Sequence, residues 1–426
     1  MRKYKHRLSD LTENDVWREP IIPSYGNMGQ PETVQDLENR KAYIEKIKEI
    51  REDIRRGTLA ITSDGKIIAI KGEPAEITFI LPFKPRRPAG GFRVMYEYAN
   101  RLAKRGFKIH LIYPIRTRYM KYRLPYSIRC ILSKIEGFKR DTWFDFESSI
   151  TMSYVPRVED KYIPDADIVI ATWWSTVLEM GSLNVNKGKK INLIQGFENW
   201  EGHEDLLFAS YNLNDTVNVV VASYLKNIVS KYTKNRIELI ENGIDNTRYF
   251  VKDKIEGRNP ASVAMTYSIQ EIKGSKYGLE ALMLVKEVIP ELQVELFGIS
   301  PCPDGLPEWI QYFREPGDLC DLYNRNAIFI SNSFTEGFGL VSVESMFCGC
   351  ALVCTDIEGH QEYAFDAKTA LLVEVRNVKQ MADRIIYLIR NNEYRIAMAK
   401  NGNEYVQRFR WDNAIEKMRK VIQSVL

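Results

Sequence analysis

At 426 residues the chain is too long for one ordinary hydrophobic core and suits two domains, each large enough to bury its own. Hydrophobic residues at 45% and charged residues at 27% exclude global disorder, and a formal charge of only +4 gives no bulk signal for nucleic-acid binding. Six cysteines without Cys-x-x-Cys spacing fit reduced, buried thiols rather than a disulfide scaffold.

The first ten residues are polar and basic rather than a signal peptide, and no apolar run approaches the roughly 18 residues of a membrane span. A cytoplasmic protein, or one held to a membrane at its surface, is expected. Residues 1–75 form an N-terminal extension. Pro20, Pro23, Gly26, Gly29 and Pro31 mark an irregular arm, and Leu37, Ile44, Ile47, Ile50 and Ile54 recur at helical spacing. Residues 59–71 then read as a hairpin turning at Asp64-Gly65.

The first α/β domain spans 76–245. It opens with the apolar run from Ile77 to Pro82, which has the length of a strand buried on both faces. The pair Gly90-Gly91 ends the following loop, a helix runs from Phe92 to Arg105, Gly106 stops it, and a strand follows at Lys108. That βαβ order puts Gly90 and Gly91 at the carboxyl end of the first strand, where open α/β sheets bind ligands.

Residues 116–140 carry eight basic side chains against one acid, interleaved with Tyr119, Tyr122, Tyr126, Ile131, Leu132, Ile135 and Phe138. An anionic membrane surface or a lipid-linked acceptor would suit this mixture. A solvated basic face would carry the same residues, and a nucleic-acid patch is the weakest alternative.

Asp165-Ala166-Asp167 resembles a metal-binding acid pair, but it enters the strand Ile168–Ala171 at its amino end, away from where ligands gather. Thr172, Trp173 and Trp174 leave the same strand at its carboxyl end and are placed to line a cleft, with core packing an equal alternative for the two tryptophans. The strand 191–195 likewise delivers Glu198 to that end, with His203 nearby as an ordinary loop residue.

After a charged linker at 246–260, a second α/β alternation fills 261–408, and a last helix occupies 409–426. Lys273-Gly274 follows its first strand. Residues 331–350, SNSFTEGFGLVSVESMFCGC, read as a strand end, a glycine loop and a helix start. Free N–H groups of Phe338, Gly339 and Leu340 at that start suit an anion, and Gly337 and Gly339 leave the backbone open to a ligand. Glu336 on the loop and Glu344 eight positions later in the helix can both accept from hydroxyls. A diphosphate flanked by sugar hydroxyls would fit. Cys348, Cys350 and Cys354, among Ala, Leu and Val, read as small apolar core rather than a metal site.

Glu336-Gly337-Phe338-Gly339-Leu340 with Glu344, continued by 351–356, Gly359, Glu362 and 371–373, resembles the signature of family-four glycosyltransferases of the GT-B fold. Glu241-Asn242-Gly243-Ile244-Asp245 is similar to the turn such proteins carry at the domain junction. The resemblance implies two Rossmann-like domains facing a cleft, with the last helix crossing back to the first. It also implies a retaining transfer of a sugar from a nucleotide-sugar donor to a glycan or lipid-linked acceptor, with no required metal and no cofactor.

In that reading Glu344 contacts the ribose, Glu336 the transferred sugar, and Lys273 with the loop N–H groups the departing diphosphate. Gly90 and Gly91 match the glycine loop that faces the acceptor and the donor phosphates, with Thr172 and Trp173 lining the cleft. The family often has a histidine near Gly196, and here Glu198 is the residue to take over a polar contact to the sugar or acceptor. The chain departs from the pattern at Ser268, where an arginine is expected, and Arg86, Arg87 and Lys276 are the substitutes in view. A nucleotide-sugar epimerase or a silent sugar-binding scaffold shares the architecture. Intact Glu336 and Glu344 argue against the scaffold, and a requirement for acceptor separates the transferase from the epimerase.

Overall fold

In a computed structural model the described residues are 44, 45, 47, 48, 50, 51, 59–61, 67–69, 75–85, 87–119, 122–137, 143–199 and 202–426. The predicted irregular arm, most of the predicted helix that carries Leu37 to Ile54, the hairpin turn, Arg86, and Lys121, Phe138, Lys139 and Arg140 of the basic segment lie outside them. Two strands of the hairpin are present, β1 (Leu59–Ile61) and β2 (Ile67–Ala69), paired antiparallel.

The first domain runs β3 (Glu76–Ile80), α1 (Gly90–Ala103), β4 (Lys108–Pro114), α2 (Tyr126–Gly137), β5 (Thr151–Val155), β6 (Ile168–Ala171), α3 (Trp174–Gly181), β7 (Lys189–Ile194), α4 (Glu204–Tyr211), β8 (Thr216–Val220), α5 (Ser223–Val229) and β9 (Ile237–Leu239). The second runs β10 (Ser262–Thr266), α6 (Ser275–Val288), β11 (Gln293–Gly298), β12 (Ile310–Arg314), α7 (Leu319–Arg325), β13 (Ile328–Ser331), α8 (Leu340–Phe347), β14 (Ala351–Thr355), β15 (Ala370–Val373), α9 (Val378–Arg390) and α10 (Asn392–Val406). A last helix, α11, spans Trp411–Val425.

Each domain is built on one parallel sheet, of order β5-β4-β3-β6-β7-β8-β9 and β12-β11-β10-β13-β14-β15. Helices cover both faces, so strands such as β6 and β14 are buried at every position and consist of unbroken apolar or small residues. α1 lays Val94, Met95, Tyr98, Ala99 and Leu102 on the sheet at helical spacing. Each fully buried aliphatic side chain of this kind contributes about 2 kcal/mol of transfer free energy.

The sheet order reverses between β3 and β6 and again between β10 and β13. Loops leaving such neighbouring strands diverge and open a crevice at their carboxyl ends. The segments after β3, β6, β10 and β13 carry Gly90, Thr172, Lys273 and Glu336, so the topology gathers the residues that the sequence had scattered.

Two details differ from the sequence reading. Gly90 and Gly91 form the first turn of α1 rather than a loop before it, because Ala89 is extended and the helix starts immediately after it. A first turn tolerates glycine, since its N–H groups lack helical acceptors in any case. The stretch 246–260 is packed rather than a free tether: Tyr249 and Ile255 are buried, and the Arg258 guanidinium donates to the Cys348 carbonyl at 2.6 Å and to Asn324 Oδ1 at 3.0 Å.

α11 lies against the first domain. The Trp411 ring meets Tyr98 edge-on at 5.1 Å, and Ile244 N–H donates to the Phe409 carbonyl at 2.7 Å. A Cβ on Gly243 would collide with Trp411, which accounts for glycine at this turn.

Candidate active site

The loop from β13 to α8 is clamped on both sides. A Cβ on Gly337 would collide with the Gln195 carbonyl of the first domain, and one on Gly359 would collide with the Glu336 carbonyl. Gly337 is therefore glycine because the other domain's backbone sits against it, which the sequence reading had assigned to ligand approach. Gly339 has φ +77, a left-handed turn that starts α8 and that glycine adopts without strain. The Phe338 ring is buried against Tyr363 and Phe409 and anchors the loop. Among the described residues the N–H groups of Phe338, Gly339 and Leu340 donate to no backbone carbonyl, so the amino end of α8 leaves these donors and the positive end of the helix dipole available.

Glu336 Oε1 accepts from Lys273 Nζ at 2.6 Å and from Ser333 Oγ at 2.7 Å. Burial alone would raise this carboxyl, but the Lys273 charge and these two hydrogen bonds hold it below its usual value. Glu336 is thus a fixed carboxylate beside a cation. Its carbonyl accepts from Tyr224 Oη of the first domain at 2.9 Å.

Glu344, one turn into α8, is buried, and its Oε1 accepts from Arg93 Nη1 at 2.8 Å. Arg93 belongs to α1 of the other domain. Burial raises the Glu344 carboxyl against the opposing pull of Arg93 and Arg248. Arg93 was missed in the sequence, where it is one of many basic residues in a helix. Its signal, two positions after a glycine pair at a strand's carboxyl end, becomes meaningful only when Glu344 is placed opposite.

On the first domain, Gln195 links the predicted acceptor residues. Its Nε2 donates to the Gly91 carbonyl at 3.1 Å and to Thr172 Oγ1 at 3.0 Å, while Thr172 Oγ1 donates to the Leu193 carbonyl at 2.9 Å. Thr172 is buried and serves to position Gln195. Trp173 has φ +71, a strained value for a bulky residue, and its ring meets Phe83 edge-on at 6.0 Å. Trp174 is buried and packs in the core.

Glu198 Oε2 accepts from the Trp174 N–H at 3.1 Å, and poor solvation pushes its carboxyl up to about 7 against that hydrogen bond. Gly90 stands across from α8: a Cβ there would lie 3.5 Å from Leu340 Cδ1. The two helices' amino ends therefore face one gap.

The substitutes considered for Ser268 do not converge on this gap equally. Lys276 is exposed and 3.9 Å from Glu280 on its own helix. Arg87 crosses to the second domain, but its Nη1 donates to the Ile299 carbonyl at 3.4 Å and its Nε is 3.8 Å from Glu315. His203 is exposed. His360 is buried beside Gly339, with Nδ1 2.8 Å from the Thr355 carbonyl and Nε2 without a hydrogen-bond partner.

Asp167 Oδ2 accepts from the Glu76 N–H at 2.8 Å at the amino end of β3, and Asp165 pairs at 2.6 Å with Lys187 in the turn before β7, so both acids have structural partners at the amino-end side of the sheet. Among the described residues no group of three or more His, Cys, Asp or Glu side chains could hold a metal, and no helix is long and apolar enough to cross a membrane. Cys320, Cys348, Cys350 and Cys354 are buried free thiols.

Two Rossmann-like parallel sheets facing a cleft, with the free amino end of α8 on the second and Gly90-Gly91 opposite, have the GT-B architecture, and known structures share it. HepE of Anabaena, solved in complex with UDP and glucose, matches with a TM-score of 0.62 at 14% identity, covering 82% of this chain and 100% of that one. Residues 259–405 match the family of glycosyl transferases group 1, which bears out the resemblance read from Glu336 to Val373. An uncharacterised glycosyltransferase of Methanocaldococcus jannaschii is 25% identical over 213 residues, 49% of this chain and 59% of that protein. The D-inositol 3-phosphate glycosyltransferase of Corynebacterium urealyticum is 26% identical over 175 residues, 37% of this chain and 41% of that protein. The matches thus span less than two thirds of these relatives.

Proposed function

We propose that this protein moves a sugar from a nucleotide-sugar, held by the second domain, to a hydroxyl of a glycan or lipid-linked acceptor held by the first, with retention of configuration. One observation carries the reading. Glu336, fixed by Lys273 at 2.6 Å, stands at the free amino end of α8, where the first domain's Gln195 backbone and Gly90 close the gap. A carboxylate for sugar hydroxyls, a cation and helix N–H groups for a diphosphate, and an opposing domain for the acceptor are the parts such a transfer needs.

In this reading the N–H groups of Phe338, Gly339 and Leu340 and the Lys273 ammonium stabilise charge growing on the leaving diphosphate. Glu336 accepts from hydroxyls of the transferred sugar, and Glu344 from those of the ribose. The departing phosphate oxygen takes the acceptor proton on the face from which it leaves, so configuration is retained. Glu198, ionised above about pH 7, accepts from the acceptor and orients it. Closure of the domains excludes water that would otherwise hydrolyse the donor.

The acceptor reading draws on residues 116–140. Around α2, Leu124, Tyr126, Ile128 and Ile131 are exposed beside Arg123, Arg129 and Lys134. A cavity of about 310 Å³ beneath them is lined by Phe83, Lys84, Pro114, Arg123 and Leu124. Apolar side chains flanked by cations suit an anionic lipid surface or a lipid-linked acceptor. The protein would then act in the cytoplasm at the inner face of a membrane, in surface polysaccharide or lipid-linked glycan assembly.

The test is NMR of reaction mixtures with nucleotide-sugars and candidate acceptors. The reading expects a new glycoside with the donor's anomeric configuration and an unchanged donor when acceptor is omitted. Inversion would remove the proposed mechanism, and isomerisation of donor alone would make the protein an epimerase.

A further inference from the structure

The donor site so far holds one phosphate cation, Lys273, and that cation is shared with Glu336 at 2.6 Å. A diphosphate carries at least two negative charges, and Ser268 brings no charge to it. At position 268, where a second cation is expected, the second domain supplies none.

Arg93 reaches α8 from the other domain. It lies in the first turn of α1, whose start faces the start of α8 through Gly90 and Leu340. Both of its hydrogen bonds run through Nη1, to Glu344 Oε1 at 2.8 Å and to Tyr249 Oη at 3.4 Å. That leaves the N–H groups on Nε and Nη2 for a ligand, and these two nitrogens form the planar fork that grips a phosphate with two parallel bonds. Burial opposes the charged form, but Glu344 and Tyr249 raise the guanidinium's pKa, so Arg93 is a permanent cation.

A partner whose only task was to neutralise buried Glu344 would not need to cross the cleft, since Arg248 of the 246–260 segment already lies close enough to pull the Glu344 carboxyl down. An arginine from across the cleft is present only while the domains are together.

We propose that Arg93 is the second cation of the donor-diphosphate site: Nη1 stays on Glu344 while Nε and Nη2 bind a phosphate oxygen pair, so that tight nucleotide binding requires the closed cleft. The inference rests on the donor-site reading given above. Nucleotide contacts from both domains make the diphosphate the bridge that closes them, and loss of the sugar leaves a diphosphate still held by both.

The experiment is isothermal titration of the full chain with UDP, GDP, ADP, CDP and dTDP and with the matching nucleosides. It is run on wild type, Arg93→Lys, Arg93→Ala and the double variant Arg93→Met/Glu344→Gln, which leaves no buried carboxylate unpaired. Thermal unfolding confirms that each variant is folded. The expected result is that Arg93→Ala and the double variant weaken the preferred diphosphate by about 10- to 100-fold relative to its nucleoside. Arg93→Lys should retain part of that ratio. Equal losses for diphosphate and nucleoside in every variant would overturn the role of Arg93 and leave the donor site standing. Wild type that binds no nucleoside diphosphate would overturn both.

Discussion

Lys273 Nζ stands 2.6 Å from Glu336 Oε1, joining the loop after β10 to the loop after β13 across the switch point of the second sheet. Glu336→Gln keeps the shape and the Ser333 contact but removes the charge. Transfer is expected to fall by about 100-fold or more while nucleotide affinity stays within about twofold, as for groups that act on developing charge. Steady-state rates with titrated affinities check this, and a wild-type rate would cancel the assigned role.

Glu344→Ala should weaken nucleotide binding and also destabilise the fold, because Arg93 is left without its 2.8 Å partner. Removing one member of a buried pair costs about 3 kcal/mol. Denaturant unfolding measures the second effect, and titration in conditions where the variant is folded measures the first. Unchanged affinity would refute the ribose contact.

Glu198 gives a pH signature. Its carboxyl, pushed by burial from the ordinary glutamate range up to about 7, is protonated in slightly acidic solution. Transfer should rise as pH increases through about 7, where the carboxylate forms, and Glu198→Gln should lose that inflection. The stability effect has the opposite sign. A carboxyl raised on folding favours the native state fully below the unfolded value, and that contribution is lost as pH climbs toward about 7. Glu198→Gln should therefore gain on wild type in melting temperature above neutrality. A flat difference in melting temperature across pH 5–8 would show that Glu198 is better solvated than its surroundings indicate.

Gly337→Ala places a methyl group against the Gln195 carbonyl. The domains must part to accommodate it, so the donor KM should rise with little change in the stability of either sheet. Small-angle scattering should report a larger radius of gyration. An unaltered KM would mean that closure does not bring these two loops together during turnover.

Replacing Arg118, Lys121 and Arg123 with glutamine should reduce sedimentation with vesicles rich in anionic lipid and leave binding to neutral vesicles unchanged. Equal sedimentation of wild type and variant would assign the segment to an ordinary solvated face.

Much of the fold was legible because parallel strands covered on both faces are apolar runs, as at β3, β6, β10, β13 and β14. The strands that sequence reading missed, β5 and β12, are the outer strands of the two sheets. Both are half exposed and lack such a run. The loop carrying Glu336 and Glu344 was legible through its glycines and spacing, although Gly337 proved to be shaped by Gln195. Arg93, Gln195 and Tyr224 were not legible. Their roles come from contacts between segments more than a hundred residues apart, which no local pattern encodes.

The central claim is a nucleotide-sugar donor site on the second domain. A thermal-shift series with UDP, GDP, dTDP, CDP and ADP and their sugar conjugates, run on wild type and Glu344→Ala, tests it most directly. The account predicts stabilisation by one nucleotide series that disappears in the variant. Absence of any shift in the wild type, or an equal shift in both proteins, would contradict it.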